Sequence, residues 1–269
     1  GVELLGKLDV SCTTAGRGRL VLGTSNGLIT LLDRAFSAVT FEAYQHDVTH
    51  LQQLQRRNVL LSLGNDEEPI SPTVKIWNLD ACDDTGVPHL MRTLTLHKID
   101  PPMLATAFAC TEDLSQVAVG LANGLIVLVR AADVARDRST KQRIVQSGLD
   151  TPVNGLAWRT GVGQLRADTV LYVVTSSAVL SYWTSRKDHR VELDTKGCAG
   201  LALTTQSDDG DLVVARPEAV YFYMPDSPSS CFGFDSPNKS IVRWFRSYLV
   251  VVASNEALDG GGGGGGGGG

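Results

Sequence analysis

The chain has 269 residues, of which 43% are hydrophobic and 20% charged, and its 24 basic and 29 acidic side chains leave a net charge of −5. This is the composition of a globular protein with a packed core, and nothing in it makes a nucleic-acid-binding face the default reading. The longest apolar runs, such as Leu125–Val129 and Leu249–Ala253, are too short to span a bilayer, and the N-terminus shows no charged region leading into an apolar core, so no secretory signal is read there.

In chain order, runs rich in Val, Leu and Ile appear at Leu20–Leu22, Leu28–Leu32, Val59–Leu63, Val74–Trp77, Val117–Val119, Leu125–Val129, Val170–Thr175, Val179–Trp183, Leu212–Ala215 and Ala219–Tyr223. Each has the length of a strand, and no long stretch shows the 3.6-residue apolar period of a helix, so the class is all-β. Ser25-Asn26-Gly27 and Ala122-Asn123-Gly124 read as hairpin turns. Asn-Gly suits a type I′ turn, which needs positive φ at both central residues. The two hairpins repeat each other, Leu20-Val-Leu-Gly-Thr-Ser-Asn-Gly-Leu-Ile-Thr-Leu-Leu32 against Val117-Ala-Val-Gly-Leu-Ala-Asn-Gly-Leu-Ile-Val-Leu-Val129.

The strand after each turn begins near Leu28, Val74, Leu125, Val179 and Ala219, a spacing of 40 to 54 residues. Propeller blades of four strands take roughly 40–50 residues each. Residues 41–80 carry the fullest signature: His46 near an inner strand, then Val59–Leu63, then Trp77-Asn78 closing the third strand. This resembles the WD-repeat pattern, in which a His, a turn Asp and the Trp bridge strands within one blade, with Asn78 here in place of the Asp that follows the Trp. His97 is a candidate for the same place in the third blade. The expected fold is a WD-repeat-like β-propeller of four-stranded antiparallel blades over residues 1–259, with five recognisable blades and part of a sixth at Ser240–Ser254, seven-bladed when complete. The glycine run Gly260–Gly269 reads as a linker, a tag remnant or a stretch standing in for unassigned residues.

No catalytic signature is found: there is no Gly-x-Ser-x-Gly elbow and no His-Glu-x-x-His. Gly161-Val-Gly163 is too short for a phosphate loop and reads as a turn. His46 and His50 are four apart, a metal spacing only on a helix, and this segment reads as a strand and its approach. Cys12, Cys82, Cys110, Cys198 and Cys231 are scattered, odd in number and without a CxxC, so reduced cytosolic thiols are expected. The acidic stretch Asn65–Pro69 and the mixed basic stretch Arg136–Arg143 read as solvated loops; a basic partner or a weakly bound cation for the first, and an anionic lipid or acidic partner for the second, are the functional alternatives. Trp158, Trp183, Trp244 and Tyr221–Tyr223 are assigned to packing. Asn238-Lys239-Ser240 is a sequon by form only. The innermost strands, such as Val48–Leu54, Leu104–Ala109 and Val153–Trp158, supply few ionisable groups for a channel active site. No catalytic, cofactor-binding or metal-binding residues are assigned, no small-molecule substrate is expected, and no interaction residues are read.

Several stretches are more specific than a generic propeller: Leu61–Leu79, Arg136–Lys141, Val191–Cys198, Val220–Asp226 and Ile241–Leu249. Together, in order from about residue 17 to 253, they closely resemble the N-terminal propeller of the vacuolar protein sorting-associated protein 11 family. The resemblance implies a core subunit of the HOPS and CORVET tethering complexes, acting in docking and fusion at endosomes and the lysosome or vacuole. It implies the other subunits of those complexes as partners, Rab-bearing membranes engaged through the assembled complex, and a peripheral position on the cytosolic face. Family members continue into an α-solenoid and a RING-type zinc domain, so no zinc or ligase chemistry is expected in this chain. A propeller from another coat or trafficking subunit, or a propeller enzyme, are the competing readings.

Overall fold

A computed structural model describes the chain over residues 8–66, 71–96, 101–146, 150–160, 169–185, 189–200, 203–205, 210–236, 238–245 and 247–254. Among these residues there are 22 strands and no helix. Blade one is β1 (Val10–Gly16), β2 (Arg19–Thr24), β3 (Leu28–Leu32) and β4 (Ala38–Glu42). Blade two is β5 (Asp47–Gln53), β6 (Val59–Asn65), β7 (Pro72–Cys82) and β8 (Pro88–Thr95). Blade three is β9 (Ala105–Cys110), β10 (Gln116–Leu121), β11 (Leu125–Arg130) and β12 (Lys141–Gln146). Blade four is β13 (Val153–Arg159), β14 (Val170–Thr175), β15 (Val179–Trp183) and β16 (Arg190–Asp194). Blade five is β17 (Leu203–Thr205), β18 (Leu212–Ala215), β19 (Ala219–Tyr223) and β20 (Pro228–Gly233), and β21 (Asn238–Phe245) and β22 (Tyr248–Ser254) form a two-stranded sheet after it.

Within each blade the strands pair antiparallel in chain order. The first strands β1, β5, β9, β13, β17 and β21 lie beside one another in succession and form the inner wall. The apolar cores lie between blades. One unites Val21, Ile29 and Phe41 of blade one with Leu60, Trp77 and Leu79 of blade two. The next unites Leu61, Leu63 and Val74 with Val117, Val119 and Val127 of blade three. Strand alternation does the sorting: Leu60 faces blade one while Leu61 and Leu63 face blade three. Likewise Tyr172 and Val174 of β14 face blade five while Leu171 and Val173 face blade three. A second strand covered on both faces has no use for polar alternation. That is why β6, β10, β14 and β18 are buried along their whole length and are mostly apolar.

The Asn-Gly turns depart from the expected type. Gly27 and Gly124 have φ of +82° and +81°, but Asn26 and Asn123 are not in the positive-φ region. Gly27 N–H donates to the Thr24 carbonyl at 3.3 Å and Gly124 N–H to that of Leu121 at 3.1 Å. These are ordinary turns closed by a left-handed glycine, a three-residue hairpin loop, rather than type I′ turns. The glycine is also required by space, since a Cβ on Gly27 would lie 2.1 Å from the Tyr44 carbonyl oxygen.

Candidate interaction surfaces

One end of the inner wall carries a repeated bulge. The register shifts between Val10 and Cys12, Val48 and His50, Ala105 and Ala107, Val153 and Gly155, and Lys239 and Ile241. The residues left out of the pairing are Ser11, Thr49, Thr106, Asn154 and Ser240, all small and polar. A bulge turns one side chain out of the ladder and sharpens the local twist. Three of these side chains reach towards the next blade. Ser11 donates to the Val48 carbonyl, Thr106 to that of Val153 at 2.8 Å, and the Asn154 amide to that of Cys198 at 2.9 Å. Thr49 and Ser240 instead donate within their own sheets, to Leu63 and Val252 carbonyls.

The opposite end is held by the turns between first and second strands. The Arg17 guanidinium donates to the Gln55 carbonyl at 3.1 Å, and the Glu112 carboxylate accepts the N–H groups of Gln55 and Arg56 at 2.9 and 3.0 Å. Blade three's outer loop is tied to the same end by an Arg57–Asp133 ion pair of 2.9 Å. That loop contains the first part of the basic stretch read from the sequence as a loop, Arg136–Thr140, while Lys141–Arg143 lie in β12 and pair with β11. Its acids are engaged at home: Asp133 also accepts the Ala135 N–H, and Asp137 accepts that of Ser139. Arg136, Arg138, Lys141 and Arg143 are exposed. Between the two ends, Gln52 exchanges hydrogen bonds with both backbone groups of Cys110, at 2.9 and 2.7 Å, clipping β5 to β9.

The WD-type lock of blade two is present with a different member. Trp77 Nε1–H donates to Ser62 Oγ at 2.9 Å, a partner the sequence reading did not include. The side chain that completes the bridge is Tyr44, not His46. The Tyr44 hydroxyl meets Ser62 Oγ at 2.9 Å and donates to the Thr73 carbonyl at 3.1 Å, with only 2% of the residue exposed. His46 is exposed, and its backbone N–H donates to the Asn65 carbonyl. The acid of the bridge is Asp66, which accepts the Gln45 N–H and pairs with Lys75 at 2.6 Å. Lys75 also donates to the Ala43 carbonyl and sits 4.3 Å from the centre of the Tyr44 ring. Burial holds the Tyr44 phenol well above its ordinary pKa, despite the hydrogen bond from Ser62, so it stays neutral.

Blade five carries a charged counterpart. Arg216, 6% exposed, pairs with Asp194 at 3.1 Å and donates to the carbonyls of Gly197 and Lys196. The Tyr223 hydroxyl donates to Asp194 at 2.6 Å. Burial alone would raise the Asp194 carboxyl, but the Tyr223 hydroxyl, the Arg216 guanidinium and the Lys196 N–H outweigh it and hold the group below the usual carboxylate range. Lys239, also 6% exposed, donates to the carbonyls of Arg216, Pro217 and Ser236 and lies over the Phe234 ring at 4.9 Å.

The ionisable groups of the inner strands are engaged in such contacts. Asp47 accepts the Asn65 amide, Arg159 pairs with Asp211 at 3.0 Å, and Arg243 donates to the Leu203 carbonyl. His50 meets the Thr49 hydroxyl at 3.1 Å, and burial lowers its pKa. Burial pushes the Cys12 thiol up to about 11 and Cys198 to about 12, so neither is poised as a nucleophile. Among the described residues no group of three or more His, Cys, Asp or Glu is placed to hold a metal ion, and no helix is long and apolar enough to cross a membrane. Trp158 packs between blades three and four and donates to the Ala109 carbonyl, while Trp244 packs against blade five. His97, Gly161–Gly163 and the Glu67–Pro69 part of the acidic stretch lie outside the described residues.

Radial four-stranded blades, inter-blade cores and a Trp–Ser lock define a WD-repeat-like β-propeller. The fold resembles that of the computationally designed Ika8 protein, with a TM-score of 0.61 at 16% identity over 91% of this chain and 68% of that one. The sequence is more specific: residues 2–261 match the PEP5/VPS11 N-terminal family, and the chain belongs to it. Vacuolar protein sorting-associated protein 11 homologs are 42% identical over 92% of this chain in Dictyostelium discoideum and over 91% in Homo sapiens, and 32% identical over 91% in Arabidopsis thaliana. The chain spans about a quarter of the length of these relatives, 26%, 25% and 27% respectively.

Proposed function

We propose that this propeller is a non-catalytic scaffold domain of a vacuolar protein sorting subunit, one that works in the HOPS and CORVET tethering complexes. It serves docking and fusion of vesicles at late endosomes and the lysosome or vacuole, from the cytosolic face of those membranes. The observation that carries this reading is the 42% identity to vacuolar protein sorting-associated protein 11 homologs over nearly the whole chain. The fold supports it: two ends rimmed by turns and bulges offer contact surfaces, and the inner-strand ionisable groups are committed to structural bonds. The partners are the other subunits of the two complexes, with Rab-bearing membranes reached through the assembly. Affinity purification of the full-length protein from cytosol, read by quantitative mass spectrometry, tests this. Recovery of the other tethering subunits in near-equal amounts is expected; their absence overturns the reading.

A further inference from the structure

The loops between third and fourth strands differ in build from blade to blade. In blade one, Asp33–Ser37 is a closed turn: the Asp33 carboxylate accepts the Ala35 and Ser37 N–H groups at 2.8 and 2.9 Å, and the Asp33 N–H donates to the Ser37 carbonyl at 3.1 Å. Blade two repeats it with Asp83 and Val87. Blade three has a longer loop, between Arg130 and Lys141, whose two halves behave differently. The first half is anchored. Val134 is buried and its N–H donates to the Leu114 carbonyl at 2.8 Å, Asp133 pairs with Arg57, and Arg92 of blade two donates to the carbonyls of Val134 and Asp137. The second half, Arg138–Thr140, makes no backbone–backbone hydrogen bond among the described residues. It is held only through the Ser139 N–H, which donates to Asp137 Oδ1 at 2.8 Å.

Ser139 is exposed, and its hydroxyl bonds to no described residue. The neighbouring Thr140 hydroxyl is half-buried and accepts from Arg92 at 3.4 Å. Around Ser139 stand Arg136 three residues before, Arg138 one before, Lys141 two after and Arg143 four after. All four are exposed, and none of their side chains bonds to or pairs with a described residue. A free hydroxyl on a segment that can be drawn out straight, flanked by uncommitted cations at fixed spacings, is what an enzyme with acidic pockets about its acceptor site can read.

We propose that Ser139 is a phosphorylation site for an arginine-directed protein kinase. The Ser139 oxygen attacks the γ-phosphorus of ATP. A new O–P bond forms as the bond from that phosphorus to the β–γ bridging oxygen breaks, ADP leaves with the electron pair, and the hydroxyl proton passes to the kinase's catalytic carboxylate. Arg136 and Lys141 are the side chains the kinase grips, one on each side of the acceptor. The product adds about −1.5 to −2 of charge to a stretch whose four cations face the single acid Asp137. The modified surface no longer attracts anionic groups as the unmodified one does. Arg34-Ala-Phe-Ser37 has the same arginine spacing and serves as an internal control. Its serine is locked in the closed turn, after Phe36 at a φ of 59°, and cannot straighten without breaking it.

The test uses the purified full-length protein with magnesium ATP and the catalytic fragment of protein kinase C, read by phosphopeptide mass spectrometry. Ser139 should take phosphate at least about tenfold faster than Ser37 or Thr140, and Arg136→Ala with Lys141→Ala should slow it about tenfold, both changes lying on the surface. Phosphate on Thr140 in place of Ser139, equal rates at Ser37 and Ser139, or a rate unmoved by the double substitution overturns the proposal. Full-length protein isolated from its own cells under phosphatase inhibition should carry phosphate on Ser139. A digest that covers the residue and contains only its unmodified peptide also overturns it.

Discussion

Blades two and five face one mechanical task and meet it with different chemistry. In each, the chain arriving from the preceding blade must be fixed to the hairpin between the second and third strands. Blade two uses a phenol, a hydroxyl and an indole, with Tyr44 2%, Ser62 0% and Trp77 6% exposed, and keeps its one ion pair at the margin. Blade five uses a guanidinium and a carboxylate, and Lys239 then fastens the next crossover with three carbonyl bonds. What repeats along the chain is the tether, not the residue type. An uncharged tether depends on shape and loses little to solvent conditions. A charged one depends on its partner remaining charged, because an unpaired buried ion is costly.

The largest effects should come where each crossover touches, backbone to backbone, the hairpin of the blade it leaves, β2–β3 of blade one or β14–β15 of blade four. At the entry to blade two the glycine is on the hairpin, where Gly27 faces the Tyr44 carbonyl. At the entry to blade five it is on the crossover, where a Cβ on Gly197 would lie 1.5 Å from the Thr175 carbonyl oxygen. Gly27→Ala and Gly197→Ala should each cost about 4 kcal/mol or more, since backbone must move in both and Gly27 also needs positive φ. Urea unfolding midpoints would check this. Near-native stability in either variant would mean that this crossover is not held where the structure has it.

The next largest effects separate the two chemistries. Arg216→Met takes the guanidinium from the Asp194 carboxylate, which keeps the Tyr223 hydroxyl and the Lys196 N–H, and from the Gly197 and Lys196 carbonyls, at a cost of about 3 kcal/mol. Tyr44→Phe removes one hydroxyl but leaves Trp77 bonded to Ser62, and should cost about 1–2 kcal/mol. High salt should narrow the difference between wild type and the Arg216 variant and leave that for Tyr44→Phe unchanged, because only the first lock is screened. Equal salt responses would erase the distinction between the blades.

Much of this architecture was legible in the sequence, and the parts that were not have physical reasons. The ten apolar runs fall on the second and third strands of blades one to five, which are covered on both faces. Fourth strands such as Arg190–Asp194 and Pro228–Gly233 carry only one or two apolar residues towards the next blade, Val191 and Leu193 in the first and Phe232 in the second, too few for a pattern to show. The bulge residues Ser11, Thr49, Thr106, Asn154 and Ser240 went unread because they are unlike in side chain and in partner, three bonding towards the next blade and two within their own sheets. A small polar residue near the start of five of the six inner strands was the available signal. The lock in blade two was found through Trp77, but with His46 in place of Tyr44, since a phenol reaches Ser62 as an imidazole would. The lock in blade five had no local signature. Asp194, Arg216 and Tyr223 meet only through three different segments.

The smallest expected effect is a difference in acid sensitivity. The folded state holds the Asp194 carboxyl below its ordinary range, against an unfolded value of about 3.9. A group depressed in this way contributes fully above the unfolded pKa and loses its contribution as pH falls through the folded one. Lowering the pH from neutral through that window should therefore weaken the tether of blade five while the neutral phenol of Tyr44 is untouched. Asp194→Asn should melt lower than wild type at pH 7, and the gap should close as the pH drops below 4. Exchange of the Gly197 amide, which donates to the Ser176 carbonyl, should quicken in acid before that of Ala43, which donates to Gly27. A gap that stays constant with pH would show that the Asp194 charge does not hold the crossover, leaving Arg216 bound to the Gly197 and Lys196 carbonyls as the part that does.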